Sequence, residues 1–526
     1  MSQYKQNKIT QLASSVGYPT LGVKPINTHN TNWVTDAIAL ALFIFIFYML
    51  WLGSYPVFTP DEGRYSEIAR EMIASGDYIT PRINGIPFLD KPILYYWLQT
   101  IAIHLFGIKE WALRLFPVLS SVLGCLITYI CGRQLFDRRT GLIAAILLAT
   151  SPLYFGNAHY ANLDLELAVF VSAALCCFIT ALHQKPIRLS FLYAGYFFAA
   201  LAFLTKGLIG IVFPIAIIGS WMLLTRQLSL IKSIHLFRGI LLCFAIIFPW
   251  YFLAQKANPE FLHYFFITQQ VTRFLSHAEF NNQAPFWFYV PIILIGFFPW
   301  TICLFQSLIR VRTEIEIFLL LWIVIILVFF SIPHSKIITY ILPIFPALSL
   351  LTARYLTHTW ISHRGYTQAF LLICITINVL FLLALVQNAK YLNQDSAKPL
   401  VEKLKLMIQP QDEVASYFNY YQDVPLYLGR RISIAADWQD KNIPNKDNWM
   451  RELGSSQTSQ QKLISENEFW KRWHSQKKMY VFVSKKYLAA FTARHLDYNL
   501  IGQTNDIYLL SNAKNPPLTR DKGKDG

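Results

Sequence analysis

Residues 55–112 hold the densest charge beside the long apolar runs of a sequence otherwise poor in it: Asp61-Glu62-Gly63-Arg64-Tyr65, then Glu67, Arg70 and Glu71, and later Asp90-Lys91-Pro92. A carboxylate at a water–lipid boundary can take a proton, hold a metal or stabilise positive charge developing on a sugar ring. The pair Asp61 and Glu62 can equally cap a helix over Gly63–Ala74 through its exposed N–H groups. Arg64 and Lys91, beside Tyr65 and Tyr95, suit a phosphate at headgroup depth, the arginine by bidentate hydrogen bonds and the lysine as a point charge. Snorkelling basic residues with aromatic belt partners would look the same. The i,i+3 and i,i+4 spacing of Glu67, Arg70 and Glu71 predicts an amphipathic helix along the interface, with these three on its wet side.

More charged and polar residues recur at the ends of apolar runs: Asp164 and Glu166, Lys206-Gly207, Arg273, and His334-Ser335-Lys336 ahead of Tyr340. An acid at a helix start is often only a cap, and each of these is weak alone. Together they place carboxylates and cations on one face of the membrane, while the span interiors are nearly free of ionisable groups. Ion-coupled transporters place such groups near the midplane. The pattern therefore favours an enzyme acting on a lipid-anchored substrate over a flippase or transporter.

The elements that must position these residues follow from composition. Of 526 residues, 54% are hydrophobic and only 14% charged, with 46 Lys and Arg against 30 Asp and Glu, a net +16. Soluble chains carry about 25% charged residues, so a water-soluble or disordered protein is excluded. The basic residues are dispersed, which excludes nucleic acid as a partner. Runs long enough to cross ~30 Å of hydrocarbon lie near 37–54, 113–135, 140–157, 163–182, 189–205, 208–224, 237–254, 286–306, 315–332, 337–353 and 366–387. Alternate loops carry Arg133, Arg138, Arg139, Lys185, Arg188, Arg226, Lys232, Arg238, Arg310, Arg312, Arg354 and Arg364, which marks that side as cytoplasmic. The N-terminal segment 1–36 is then inside, and the loop 55–112 and everything after 387 outside. The apolar stretch 92–107 is read as an interfacial or partly inserted helix, which leaves eleven to thirteen spans.

The expected architecture is an α-helical polytopic membrane domain over 37–387, a small outer α/β domain over 388–515, and a charged, disordered tail at 516–526. Within the outer domain, 398–407 and 459–474 read as helices, and Met479–Ser484 and Asp506–Ser511 as strands. All seven cysteines fall in apolar runs and read as small buried hydrophobes, so no disulfide framework or cysteine metal site is expected.

The first loop, with Ile68-Ala69-Arg70-Glu71-Met72, Gly76-Asp77-Tyr78-Ile79-Thr80-Pro81-Arg82 and Asp90-Lys91-Pro92, resembles that of the bacterial aminoarabinose (lipid A) glycosyltransferases. These belong to the dolichyl-phosphate-mannose protein mannosyltransferase-like superfamily of GT-C fold. Asn162-Leu163-Asp164, Leu204-Thr205-Lys206-Gly207, Arg273-Phe274, Pro285-Phe286-Trp287, and Ser335-Lys336 followed by Thr339-Tyr340-Ile341-Leu342-Pro343 extend the likeness over roughly 37–350. The resemblance implies a bacterial inner-membrane enzyme that takes a sugar, such as 4-amino-4-deoxy-L-arabinose, from undecaprenyl phosphate to lipid A. A protein or polysaccharide acceptor is the alternative. It makes Asp61 the candidate catalytic carboxylate and Asp164 a second acid, with Arg64, Tyr65, Lys91 and Tyr340 around the carrier phosphate. Lys206, Arg273 and Lys336 complete the substrate-binding set. The family's Glu-Lys-Pro is here Asp90-Lys91-Pro92, and its Glu-His pair, associated with a divalent metal, is Gln269-Gln270. A neutral amide is a poor zinc ligand compared with imidazole, which argues against zinc here, and a divalent metal stays an open alternative with Asp90 as its candidate ligand. The same change can mean a different sugar, a hexosamine or a neutral hexose.

Overall fold

The computed structural model describes residues 32–272, 283–362, 364–393, 396–436, 462–494 and 497–513. Among them, seven helices are long and apolar enough to cross a membrane: Leu115–Leu135, Asp164–His183, Leu189–Lys206, Leu236–Ala257, Glu314–Ser331, Ile338–His358 and Gly365–Gln387. The count rises to nine if each of two bent helix pairs is one span, and two shorter apolar helices, Trp33–Met49 and Ile209–Leu224, complete the set. All eleven apolar runs thus reappear as helix. Two of them are not single straight crossings. Run 140–157 bends by 66° between Arg138–Ala149 and Pro152–Ala158. Run 286–306 turns through 117° between Phe286–Gly296 and Thr301–Ile309. Pro152 and Pro299 stand at the two breaks, where a proline has no N–H for the helix ladder.

The helix Asp61–Ser75, here called the site helix, ends at Gly76, whose φ of 70° and N–H bond to the Met72 carbonyl close it in the left-handed conformation. A hairpin of β1 (Arg82–Ile83) and β2 (Ile86–Pro87) follows, turning on Asn84 and Gly85, both at positive φ. The stretch 92–107 is the helix Leu94–Phe106, 13 residues long, which packs against the site helix. Its length of about 20 Å is short of a bilayer core.

The chain after 397 builds a six-stranded sheet of order β5-β4-β3-β6-β8-β7, from β3 (Glu413–Tyr417), β4 (Ser433–Ala435), β5 (Leu463–Ile464), β6 (Met479–Ser484), β7 (Asn499–Gln503) and β8 (Ile507–Ser511). β3 to β6 run parallel to their neighbours, while β8 is antiparallel to β6 and β7 to β8. β6 is buried at every position, as a central strand covered on both faces must be. The helices predicted over 398–407 and 459–474 are Lys398–Lys405 and Glu466–Trp473. Positions 1–31 and the tail 516–526 lie outside the described residues.

This domain sits on the site helix, and there the solvated-face expectation for Glu67, Arg70 and Glu71 is corrected. Glu67 and Glu71 are 0% and 2% exposed, and Arg70 is buried. Arg70 donates to both Glu67 oxygens at 2.6 Å and to the Gly429 carbonyl at 3.3 Å. Arg431 pairs with Glu71 at 3.1 Å, and Glu71 also accepts from the Gly85 N–H. The Asn84 side chain pairs with both the N–H and the carbonyl of Ile432. One apolar core joins Ile68 and Met72 of the site helix and Tyr95 of the next to Leu400, Val424, Phe482 and Leu509. The i,i+3 pattern that would suit water here faces another domain.

Burial pushes the Glu67 carboxyl up to about 7, against the pull of Arg70. Because the folded value lies above the unfolded one, the proton is bound more tightly in the native state. This contribution to stability is full below about pH 4.5 and is lost as the pH rises through about 7. Thermal unfolding of the detergent-solubilised chain should show that slope, and Glu67→Gln should flatten it; an unchanged slope would refute the assignment.

Candidate active site

The start of the site helix is fixed by a buried ion pair. Glu62 and Arg114 are both 0% exposed and meet at 2.7 Å. Arg114 spends all five N–H donors: two on Glu62, two from Nη1 on the Leu52 and Tyr55 carbonyls, and one on the Pro56 carbonyl. Glu62 accepts two further bonds, from the Phe58 and Ala161 N–H groups, each at 2.7 Å. Glu62 therefore joins four chain segments and is not placed to react. On the same turn, a Cβ at Gly63 would stand 3.1 Å from the Asp423 backbone nitrogen, so the C-terminal domain closes over this point.

With Glu62 turned inward, Asp61 and Arg64 face a cavity of about 560 Å³. Tyr65, Asp90, Lys91, Asp164, Lys206, Lys336 and Tyr340 line the same cavity. Of the site residues that the family resemblance implied, Arg273 lies outside the described residues, and of the other residues noted in the sequence Tyr95, Glu166 and His334 do not line this cavity. Asp61 is the open acid: its side chain is 44% exposed, and Arg64 stands 3.7 Å away. Burial holds the Tyr65 phenol well above its ordinary value, so it stays a neutral hydrogen-bonding group.

Asp164 is differently placed. One carboxylate oxygen accepts from Lys206 Nζ and the other from Thr339 Oγ1, and its N–H is capped by Asn162. Lys206 lies 4.0 Å above the Tyr340 ring. Lys336 donates to the carbonyls of Ala284, at 3.0 Å, and Pro333, and burial lowers its pKa. Glu166 is fully buried, does not line the cavity, and its oxygens find no hydrogen-bond partner among the described residues.

Asp90 is held by neutral donors. Its Oδ1 accepts from the Tyr264 hydroxyl at 2.8 Å and from Gln269 Nε2 at 3.2 Å, and Gln269 Nε2 also reaches the Tyr264 oxygen at 2.9 Å. Two N–H and O–H donors directed at one carboxylate oxygen are a poor fit to a divalent cation. Among the described residues no three His, Cys, Asp or Glu side chains gather to hold one.

Sequence reasoning missed Thr339, Asn162 and Tyr160 as cavity residues and Tyr264 as the partner of Asp90. Thr339 and Asn162 stand in stretches whose pattern was noted, but Tyr264 lies 174 positions from Asp90 with no local signal.

Comparison with known proteins adds three findings. Residues 90–252 match the family described as dolichyl-phosphate-mannose-protein mannosyltransferase. The chain is 35% identical over 329 residues to the undecaprenyl phosphate-alpha-4-amino-4-deoxy-L-arabinose arabinosyl transferase 2 of Proteus mirabilis, and 33% identical over 335 residues to the transferase of Yersinia enterocolitica. Each match covers 61% of this chain and 59% of the relative. The crystal structure of ArnT from Cupriavidus metallidurans bound to undecaprenyl phosphate superposes with a TM-score of 0.77 at 24% identity, covering 92% of this chain and 98% of that one. The oligosaccharyltransferase AglB of Archaeoglobus fulgidus superposes with a TM-score of 0.53 at 14% identity, over 86% of this chain and 69% of that one. The likeness read from the first loop is borne out, and the fold is the GT-C fold of a multi-pass membrane protein.

Breaking the Glu62–Arg114 pair from one side strands a buried charge. Glu62→Gln or Arg114→Met should each lower stability by about 3–5 kcal/mol. Denaturation of the purified variants would measure it, and a loss below about 1 kcal/mol would contradict the anchoring role.

Proposed function

We propose that the chain is an integral-membrane glycosyltransferase that moves a sugar from undecaprenyl phosphate to lipid A on the outer face of a bacterial inner membrane. Its N-terminus is then cytoplasmic and its C-terminal domain periplasmic. The sugar on this reading is an aminosugar such as 4-amino-4-deoxy-L-arabinose, the one named for the relatives above. The observation that carries the reading is the single cavity in which the open acid Asp61 meets Arg64, Lys91, Lys206 and Lys336. Four cations suit a phosphate, and a carboxylate beside them suits a reaction at a sugar carbon.

The chemistry is a displacement at the anomeric carbon. An acceptor phosphate oxygen forms the new bond to that carbon while the bond from carbon to carrier-phosphate oxygen breaks, and the electron pair leaves with the phosphate. Arg64, by bidentate bonds, and Lys91, as a point charge, stabilise the charge gathering on the leaving oxygens, with Tyr65 and Tyr340 walling the pocket. A lipid A phosphate is already anionic and needs no strong base, so Asp61 stabilises the oxocarbenium-like carbon. With a hydroxyl acceptor the same group takes the proton.

Asp164 acts through Lys206, whose ammonium it holds, and Thr339 fixes its second oxygen. A divalent metal at Asp90 has no part in this scheme, because phenol and amide donors supply the partners of that carboxylate.

The test is transfer by the purified chain in vesicles, from a polyprenyl-phosphate-linked aminosugar to lipid A, with free polyprenyl phosphate as co-product. Asp61→Asn should reduce turnover by about 10²–10⁴-fold, and chelation should leave the wild type active. Undiminished transfer by Asp61→Asn would refute its role. Product on protein or polysaccharide alone would replace the acceptor, and a carrier that stays glycosylated after crossing the membrane would mark a flippase.

A further inference from the structure

Three carboxylates line the cavity, and the cations there treat them unequally. Asp164 takes the ammonium of Lys206, and Asp61 has the guanidinium of Arg64 at 3.7 Å. Asp90 has no basic side chain within ion-pairing distance among the described residues. Lys91 next to it turns its Nζ to the Asp90 backbone carbonyl, at 3.2 Å, and not to the carboxylate. Both hydrogen bonds to the Asp90 side chain fall on Oδ1, leaving Oδ2 unbonded among the described residues.

Those two bonds do a particular job. Tyr264, itself buried, and Gln269 form a closed triangle with Oδ1, which fixes the carboxylate in one orientation. Both donors are neutral, so they orient the charge without cancelling it. A ligand that complements the whole cavity is therefore anionic where it meets Arg64, Lys91, Lys206 and Lys336, and cationic where it meets Asp90. We infer that Asp90, oriented by Tyr264 and Gln269, takes the protonated amine of an aminosugar and so selects the donor. A neutral sugar would leave that oriented charge without a counter-ion, the kind of mismatch by which polar sites reject an analogue.

The inference rests on the proposed transfer of a sugar from a polyprenyl phosphate, and the experiment separates the two. The full chain in vesicles is given two synthetic donors, polyprenyl-phosphate pentoses that differ only in an amine or a hydroxyl at carbon 4. The wild type should prefer the amine donor, and the preference should weaken as the pH passes the pKa of the amine. Asp90→Asn should lower the amine-to-hydroxyl ratio of kcat/KM by about 10–100-fold. Tyr264→Phe and Gln269→Ala should narrow the ratio in the same direction by less, and they decide the matter if Asp90→Asn does not fold. A ratio unmoved in every folded variant, or a wild type without preference, overturns the inference and leaves the transferase standing. A wild type that uses neither donor overturns both.

Discussion

The rest of the site depends on one buried ion pair. Taking Glu62 and Arg114 out of water is unfavourable by several kcal/mol for each charge, and their attraction compensates only if every donor and acceptor is satisfied. Here it is: the five Arg114 donors and both Glu62 oxygens have partners, five of them backbone groups from the segments 52–58 and 161. A pair bound to so many main-chain groups fixes segments, not only side chains. It sets the start of the site helix, and with it the direction in which Asp61 and Arg64 project.

The sequence made much of this legible because charge is scarce in it. In a chain with 14% charged residues, Asp61, Arg64 and Lys91 stand out, and the apolar runs that isolate them also predict the apolar helices of the described residues. What was not legible has physical reasons. Hydropathy registers how apolar a run is and says nothing of its straightness, so the bends at Pro152 and Pro299 went unseen. The spacing of Glu67, Arg70 and Glu71 is the same whether that face meets water or a second domain, and only the tertiary fold decides. Tyr264, which holds Asp90, and Thr339, which holds one oxygen of Asp164, come from more than 170 positions away, a separation over which local pattern carries no information. Similarly, β4 and β5 have three and two residues, too short for a period-two signal.

The acids of the cavity also differ in kind, which their shared residue type hides. Asp164 is consumed in holding Lys206 and Thr339, and Glu166 two residues later is enclosed away from the cavity. Asp61 alone combines exposure with a nearby cation, while Asp90 is oriented without being neutralised. Partner geometry, more than position in the sequence, separates the open acid from those held by neighbouring side chains.

The site helix carries the cavity-lining Asp61, Arg64 and Tyr65 on one flank and the Glu67–Arg70–Glu71 network on the other, where Arg431, Gly429 and Ile432 meet it and its hairpin. The C-terminal domain is thus not an independent appendage. Its loop around Ile432 and the hairpin at Asn84 form a matched lock, and the apolar core beneath them is shared. A change on one side of that lock is therefore felt on the other, along a seam whose paired residues, Asn84 and Ile432, do not line the cavity.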